Sequence, residues 1–137
     1  MADSGKGRLN PLLVVSSLLY FVAAVPLLFA ADELLTAAGA TVTPLDSALL
    51  QVLAAALFGF SMLNWFQRFT LTGGIYGRPV VVANFCHTAM AALALAHFVR
   101  QFLPTGNASP VLLAAAAVYA ALAVAFGWAF FRRAPGG

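Results

Sequence analysis

The sequence predicts an all-α integral membrane protein, a single domain built as a four-transmembrane-helix up-down-up-down bundle. Two observations carry that expectation. Of 137 residues, 63% are hydrophobic and 8% charged, whereas a soluble domain needs about a quarter charged residues to solvate its surface. Four apolar runs, at residues 11–31, 45–66, 80–99 and 111–131, contain no charged side chain apart from Asp46 at the edge of the second. Each run has the ~20 residues that a helix needs to cross a bilayer core. Strands in a barrel would instead show ~10-residue segments of alternating polarity.

The first run opens at Asn10-Pro11. Proline is tolerated at the first helical position because its missing N–H would have no intrahelical partner, and the Asn side chain can cap the exposed amides. Pro26 predicts a kink near the outer end. Lys6 and Arg8 precede the run as they would in a signal peptide, but the run exceeds the ~7–15-residue core of a signal and no small-x-small site follows it. It is read as the first span. Residues 32–43 form the longest outer connection, expected to begin as a helical extension ending near Gly39.

The second run starts at Thr43-Pro44, with Asp46 placed near the positive end of the helix dipole. Ala55 and Gly59 make a smooth stripe on it. The connection that follows, Gly73-Gly74-Ile75-Tyr76-Gly77-Arg78-Pro79, is the most distinctive string in the chain. Its glycines permit positive backbone angles, Tyr76 suits a headgroup layer and Arg78 can bind phosphate. It reads either as a tight turn with an interfacial anchor or as a seat for a lipid headgroup or small anion. The Gly-Lys-Ser/Thr ending of a nucleotide loop is missing.

Arg78-Pro79 is expected to open the third run, which Pro104 stops. Ser109-Pro110 opens the fourth, and Pro135 follows it. Ala92 and Ala96 line one stripe on the third run, and Ala117, Ala121 and Ala125 another on the fourth, with Ala123 and Gly127 beside them. Such stripes let helices approach closely. They pack the chain against itself, or one of them meets another protomer or subunit, for which the fourth run is the best candidate.

Charge sets the orientation. Lys6, Arg8, Arg68, Arg78, Arg132 and Arg133 lie on one side, and Arg100 with Asp32, Glu33 and Asp46 on the other. The positive-inside rule then puts both termini and the glycine-rich loop in the cytoplasm.

Polar groups within the runs are costly in lipid and so informative. Ser61, Asn64 and Arg68 share a face of the second run at three- and four-residue intervals, and Asn84, His87 and Thr88 share one on the third. Because a short loop joins these runs, Ser61, Asn64, Arg68, Asn84 and His87 are expected to form a cytoplasmic-side polar cluster, with Arg78 nearby. One reading makes the cluster interhelical glue. The other makes it a small ligand or headgroup pocket in which His87 donates or titrates. His97 lies about 280° round the helix from His87 and is expected to face the interface with Arg100. Cys86 is read as a small hydrophobe, and Trp65 and Trp128 as an aromatic belt. Asn107-Ala108-Ser109 has the form of a glycosylation acceptor.

The stretch Gly59-Phe60-Ser61-Met62-Leu63-Asn64-Trp65, with residues 73–79 and Asn84, resembles a group of small four-span bacterial membrane proteins distantly similar to the DoxX-like group. The resemblance covers roughly residues 46–97. It implies a four-helix bundle in the bacterial cytoplasmic membrane. It also suggests an association with redox complexes, for which the sequence supplies no cofactor ligands.

The expected function is that of a non-catalytic accessory or structural subunit of a membrane complex, or of a homo-oligomer held by alanine-rich faces. Lipid or small-molecule binding or transport through the polar cluster is the alternative, and a DoxX-like redox association a weaker one. Expected partners are membrane lipids and other subunits or copies of the chain, with no nucleic acid. No catalytic residue, metal site or cofactor is expected: the runs lack the carboxylate of a proton-coupled exporter, and two histidines on different faces of one helix cannot clamp a haem.

Overall fold

A computed structural model describes residues 9–37, 41–70, 75–102, 104 and 109–131. Lys6, Arg8, Gly39, Gly73, Gly74, Asn107, Arg132, Arg133 and Pro135 lie outside these. Among the described residues all regular structure is helical: α1 (Pro11–Phe29), α2 (Ala31–Ala37), α3 (Pro44–Phe66), α4 (Gly77–Phe102) and α5 (Pro110–Phe131). Four of these, all but α2, are long and apolar enough to cross a membrane. The contacts divide the chain into two compact units, Met1–Phe69 and Thr70–Gly137.

The first unit is a hairpin of α1 and α3, with α2 touching both. The two starts are capped as their sequences require. The Asn10 side chain accepts from Leu12 N–H at 3.2 Å. Thr43 Oγ1 accepts from Asp46 N–H at 3.3 Å while Asp46 Oδ2 accepts from Thr43 N–H at 3.1 Å, a reciprocal box that satisfies two orphan donors. α1 runs on through Pro26, and the Ala30 N–H closes its last turn on Pro26 O at 2.9 Å. The helical extension expected after residue 31 is α2.

Contacts along the hairpin run in opposite directions on its two helices, so the pair is antiparallel. The Asn10 N–H donates to Arg68 O at 2.7 Å, Ser17 meets Ser61, and the Phe21 ring lies 6.1 Å from Phe58. Buried positions on α1 are Leu13, Ser16, Ser17, Tyr20 and Ala24, and on α3 Ala54, Leu57, Ser61 and Asn64. Both sets have the three- and four-residue spacing of a single helical face.

The second unit is a hairpin of α4 and α5. Arg78 lies near Phe130, Phe85 against Gly127 and His87 against Tyr119, so this pair too is antiparallel. A Cβ built on Gly127 would stand 3.0 Å from the Phe85 ring, tighter than ordinary van der Waals contact, so the ring would have to give by a few tenths of an ångström. Glycine is what lets the ring lie there.

One expectation needs correction. α4 begins at Gly77, not at Pro79. Pro79 still falls in the first turn, whose N–H groups have no intrahelical acceptors, so the ring costs no hydrogen bond there. The Ala55–Gly59 stripe of α3 is exposed within the first hairpin, and nothing lies within 4 Å of a Cβ placed on Gly59, so this stripe does not pack against α1. The buried face of α3 runs through Ala54, Leu57, Ser61 and Asn64.

Candidate functional site

Ser61 and Asn64, singled out in the second run, are fully buried, and α1 supplies partners for both. Ser17 Oγ donates to Ser61 O at 2.8 Å, and Ser61 Oγ donates back to Ser17 O at 2.9 Å. The two hydroxyl oxygens stand 3.4 Å apart. Each hydroxyl has one proton, already committed to a carbonyl, so this approach is a contact and not a third bond. One turn along, Asn64 Nδ2 donates to Ser16 Oγ at 2.9 Å, and Ser16 Oγ donates to Leu13 O at 3.2 Å. Two serines, a third serine and an amide thus form a polar seam between two otherwise apolar helices.

The carbonyls of Ser17 and Ser61 lie within their helices, so each accepts the partner's hydroxyl on a second lone pair without giving up its place in the backbone ladder. Three interhelical side-chain hydrogen bonds, at about 0.6 kcal/mol each where such bonds have been measured in lipid, contribute roughly 2 kcal/mol. The larger effect is on register. A slip of either helix would leave buried hydroxyls and an amide unpaired.

Arg68 departs from the face that its spacing assigned to it. α3 ends at Phe66, and Arg68 lies just beyond. Its guanidinium sits 4.4 Å from the Trp65 ring centre and 4.6 Å from that of Phe69, and donates to Trp65 O at 2.6 Å. Cation–π attraction and a C-terminal carbonyl hold it at the end of the hairpin, away from the Ser17–Ser61 pair.

In the second hairpin the expected residues are placed differently. Asn84 Nδ2 donates to Val80 O at 2.9 Å and Thr88 Oγ1 to Asn84 O at 2.7 Å, so these buried groups bond back onto their own helix. The His87 ring stands edge-on to Tyr119 with centres 5.7 Å apart. Arg78 lies 5.9 Å from the Phe130 ring centre, at the limit of cation–π range. His97 and Arg100 are exposed, as expected of an interfacial pair, and the His97 and Gln101 side chains meet at 3.1 Å. Of the residues expected to cluster, Ser61, Asn64 and Arg68 belong to the first unit and Arg78, Asn84 and His87 to the second.

Ser16 and Ser17 were not among the residues singled out, although two adjacent hydroxyls in an apolar run were a visible signal. Counting seven residues inward from Asn10 and seven back from Arg68 reaches Ser17 and Ser61. Among the described residues no group of three His, Cys, Asp or Glu side chains is arranged to hold a metal ion.

No family model matches this chain, and neither a curated protein nor a solved structure matches it.

Proposed function

We propose that the chain is a multi-pass protein of the bacterial cytoplasmic membrane, crossing it four times, up-down-up-down, with both termini on the cytoplasmic side. We propose further that it acts without catalysis, as an accessory or structural subunit of a membrane complex or as a homo-oligomer. The observation that carries this reading is the Ser16–Ser17–Ser61–Asn64 seam, whose polar groups hold two helices in register. Polar side chains spent on packing are not presented to a solute. Large apolar side chains such as Val15, Leu18, Val22, Val52 and Leu53 are exposed on the first hairpin, and between 17 and 28% of the apolar stretch of each long helix is buried. Lipid or another protein is the surrounding that suits such faces. The orientation rests on the distribution of Lys and Arg, and the bacterial setting on the resemblance to the DoxX-like group.

The test is the mass of the particle extracted in mild detergent, by native mass spectrometry and crosslinking in membranes. An oligomer or a stoichiometric partner is expected. A lone monomer under both conditions refutes the subunit role, and a detergent-free soluble globule refutes the membrane reading altogether.

A second reading, lipid binding, is favoured by Arg68. Its guanidinium is fixed by two rings and one carbonyl, and the remaining donors are open to a phosphate. Arg68→Ala is then expected to lower the amount of acidic phospholipid that copurifies. Unchanged lipid content removes the reading.

A further inference from the structure

The end of the first hairpin opposite Asn10 and Arg68 carries an open cleft of about 550 Å³ between α2 and the first turns of α3. Its walls differ in character. Val42, Pro44 and Ala48 form an apolar side, and Asp32, Ser47 and Gln51 a polar one. Among the described residues no Lys or Arg lines it.

Two carboxylates stand close by, and their hydrogen bonds separate their roles. Asp46 Oδ2 accepts from the Thr43 hydroxyl at 2.6 Å and from the Thr43 amide at 3.1 Å, so this carboxylate is committed to capping α3. It already answers the positive end of that helix. Asp32 accepts the Ser47 hydroxyl on Oδ1 alone. Among the described residues its Oδ2 has no hydrogen-bond donor and neither oxygen has a cationic partner.

We propose that this cleft binds an alkylammonium group, with Asp32 as the counter-charge, the Gln51 side-chain carbonyl as a further acceptor and the Val42–Pro44–Ala48 wall against the carbon chain. An anion is excluded by the Asp32 and Asp46 charges, since the dipole end that would attract it is already capped. A bare metal ion is a poor occupant, because one uncommitted carboxylate is too few hard ligands. Ammonium chemistry fits both walls at once: a charge with N–H donors at one end and methylenes at the other.

Two sources can supply such a group. One is a free small amine. The other is the headgroup of phosphatidylethanolamine, since the cleft lies where α1 has ended and α3 begins. The lipid source rests on the proposed membrane setting, whereas the free-amine source does not.

The test uses the full chain in discs of phosphatidylglycerol alone, followed through the backbone amide signals of Ser47, Ala48 and Gln51. Ethanolamine is titrated in one arm, against sodium chloride at equal ionic strength. In the other arm phosphatidylethanolamine is added to the discs and no free amine is present. Saturable shifts at these amides are expected in at least one arm, weakened about tenfold or more by Asp32→Asn. Asn keeps a side-chain carbonyl for Ser47, and unmoved Ser17 and Ser61 signals verify that the hairpin is intact. Gln51→Leu, which leaves the capping box alone, is expected to weaken binding in the same arm. Shifts with ethanolamine make a free amine sufficient, and shifts with the lipid alone assign the headgroup. Shifts in neither arm, or shifts that Asp32→Asn leaves undiminished, overturn the proposal. Particle mass reports the subunit role separately.

Discussion

The two hairpins solve one packing problem with different chemistry. In the first, α1 and α3 are joined by directional bonds: the Ser17 and Ser61 hydroxyls each donate to the other residue's backbone carbonyl, and Asn64 Nδ2 donates to Ser16 Oγ. In the second, α4 and α5 meet through shape: the Phe85 ring occupies the space that Gly127 leaves, and His87 stands edge-on to Tyr119. There the buried amide and hydroxyl of Asn84 and Thr88 turn back to their own helix. In an apolar solvent, burial of hydrocarbon does not distinguish a paired helix from a lone one. Hydrogen bonds and steric fit are two ways to specify a helix pair; the Ser17–Ser61 bonds are an instance of the one and the Phe85–Gly127 contact of the other.

The largest break in that contrast is expected at Gly127. Gly127→Leu drives a branched side chain into the Phe85 ring and should destabilise the second hairpin by about 1–3 kcal/mol. Unfolding in graded SDS, followed at each hairpin separately, is the measurement. Equal loss in the first hairpin would show that the steric fit is not local to α4 and α5.

Next comes the serine exchange. Ser17→Ala and Ser61→Ala each remove one interhelical bond, and the pair should cost about 1.2 kcal/mol at ~0.6 kcal/mol per bond. Because each hydroxyl bonds to a backbone carbonyl and not to the other hydroxyl, the two losses should be nearly additive. A double-mutant cycle with a coupling above about 0.5 kcal/mol would instead place the bond between the hydroxyls. Thr43→Ala follows. It opens the capping box at the start of α3 and should cost about 1 kcal/mol, with Gln51 and neighbouring amides of the first turns exchanging faster with solvent than those near Ser61.

Much of this architecture was legible in the sequence, and the rest was not for physical reasons. Apolar runs of bilayer length located the four long helices, and Asn10 and Thr43, each directly before a proline at the first helical position, cap two of them. The start of α4 was missed by two residues, since a proline in the first turn does not say which position of that turn it holds. Ser61 and Asn64 were recognisable as buried, because polar groups at three-residue spacing must share a face. Their partners Ser16 and Ser17 were not, because helical period tells which residues face together but not which helix they face. The stripe of Ala55 and Gly59 is a weaker kind of signal. Alanine and glycine allow close approach without demanding it, whereas an unpaired amide demands a partner.

Gly59 gives the smallest expected effect and the sharpest reading of that lesson. Like Gly127, it is a helical glycine among apolar neighbours, and the sequence gives no ground for treating the two differently. In the structure an added Cβ at Gly59 meets nothing within 4 Å, while at Gly127 it meets the Phe85 ring at 3.0 Å. Gly59→Ala should therefore leave the first hairpin unchanged or raise its stability by about 0.5 kcal/mol through helix propensity, whereas at Gly127→Ala the same gain is opposed by the displacement of the Phe85 ring. The informative comparison is the same Gly59 variant in detergent and in native membranes. A loss that occurs only in membranes, together with a change in particle mass, would mean that the face carrying Ala55 and Gly59 is covered there by another protein. Equal behaviour in both would leave that face to lipid, and the small residues on it would reflect tolerance, not contact.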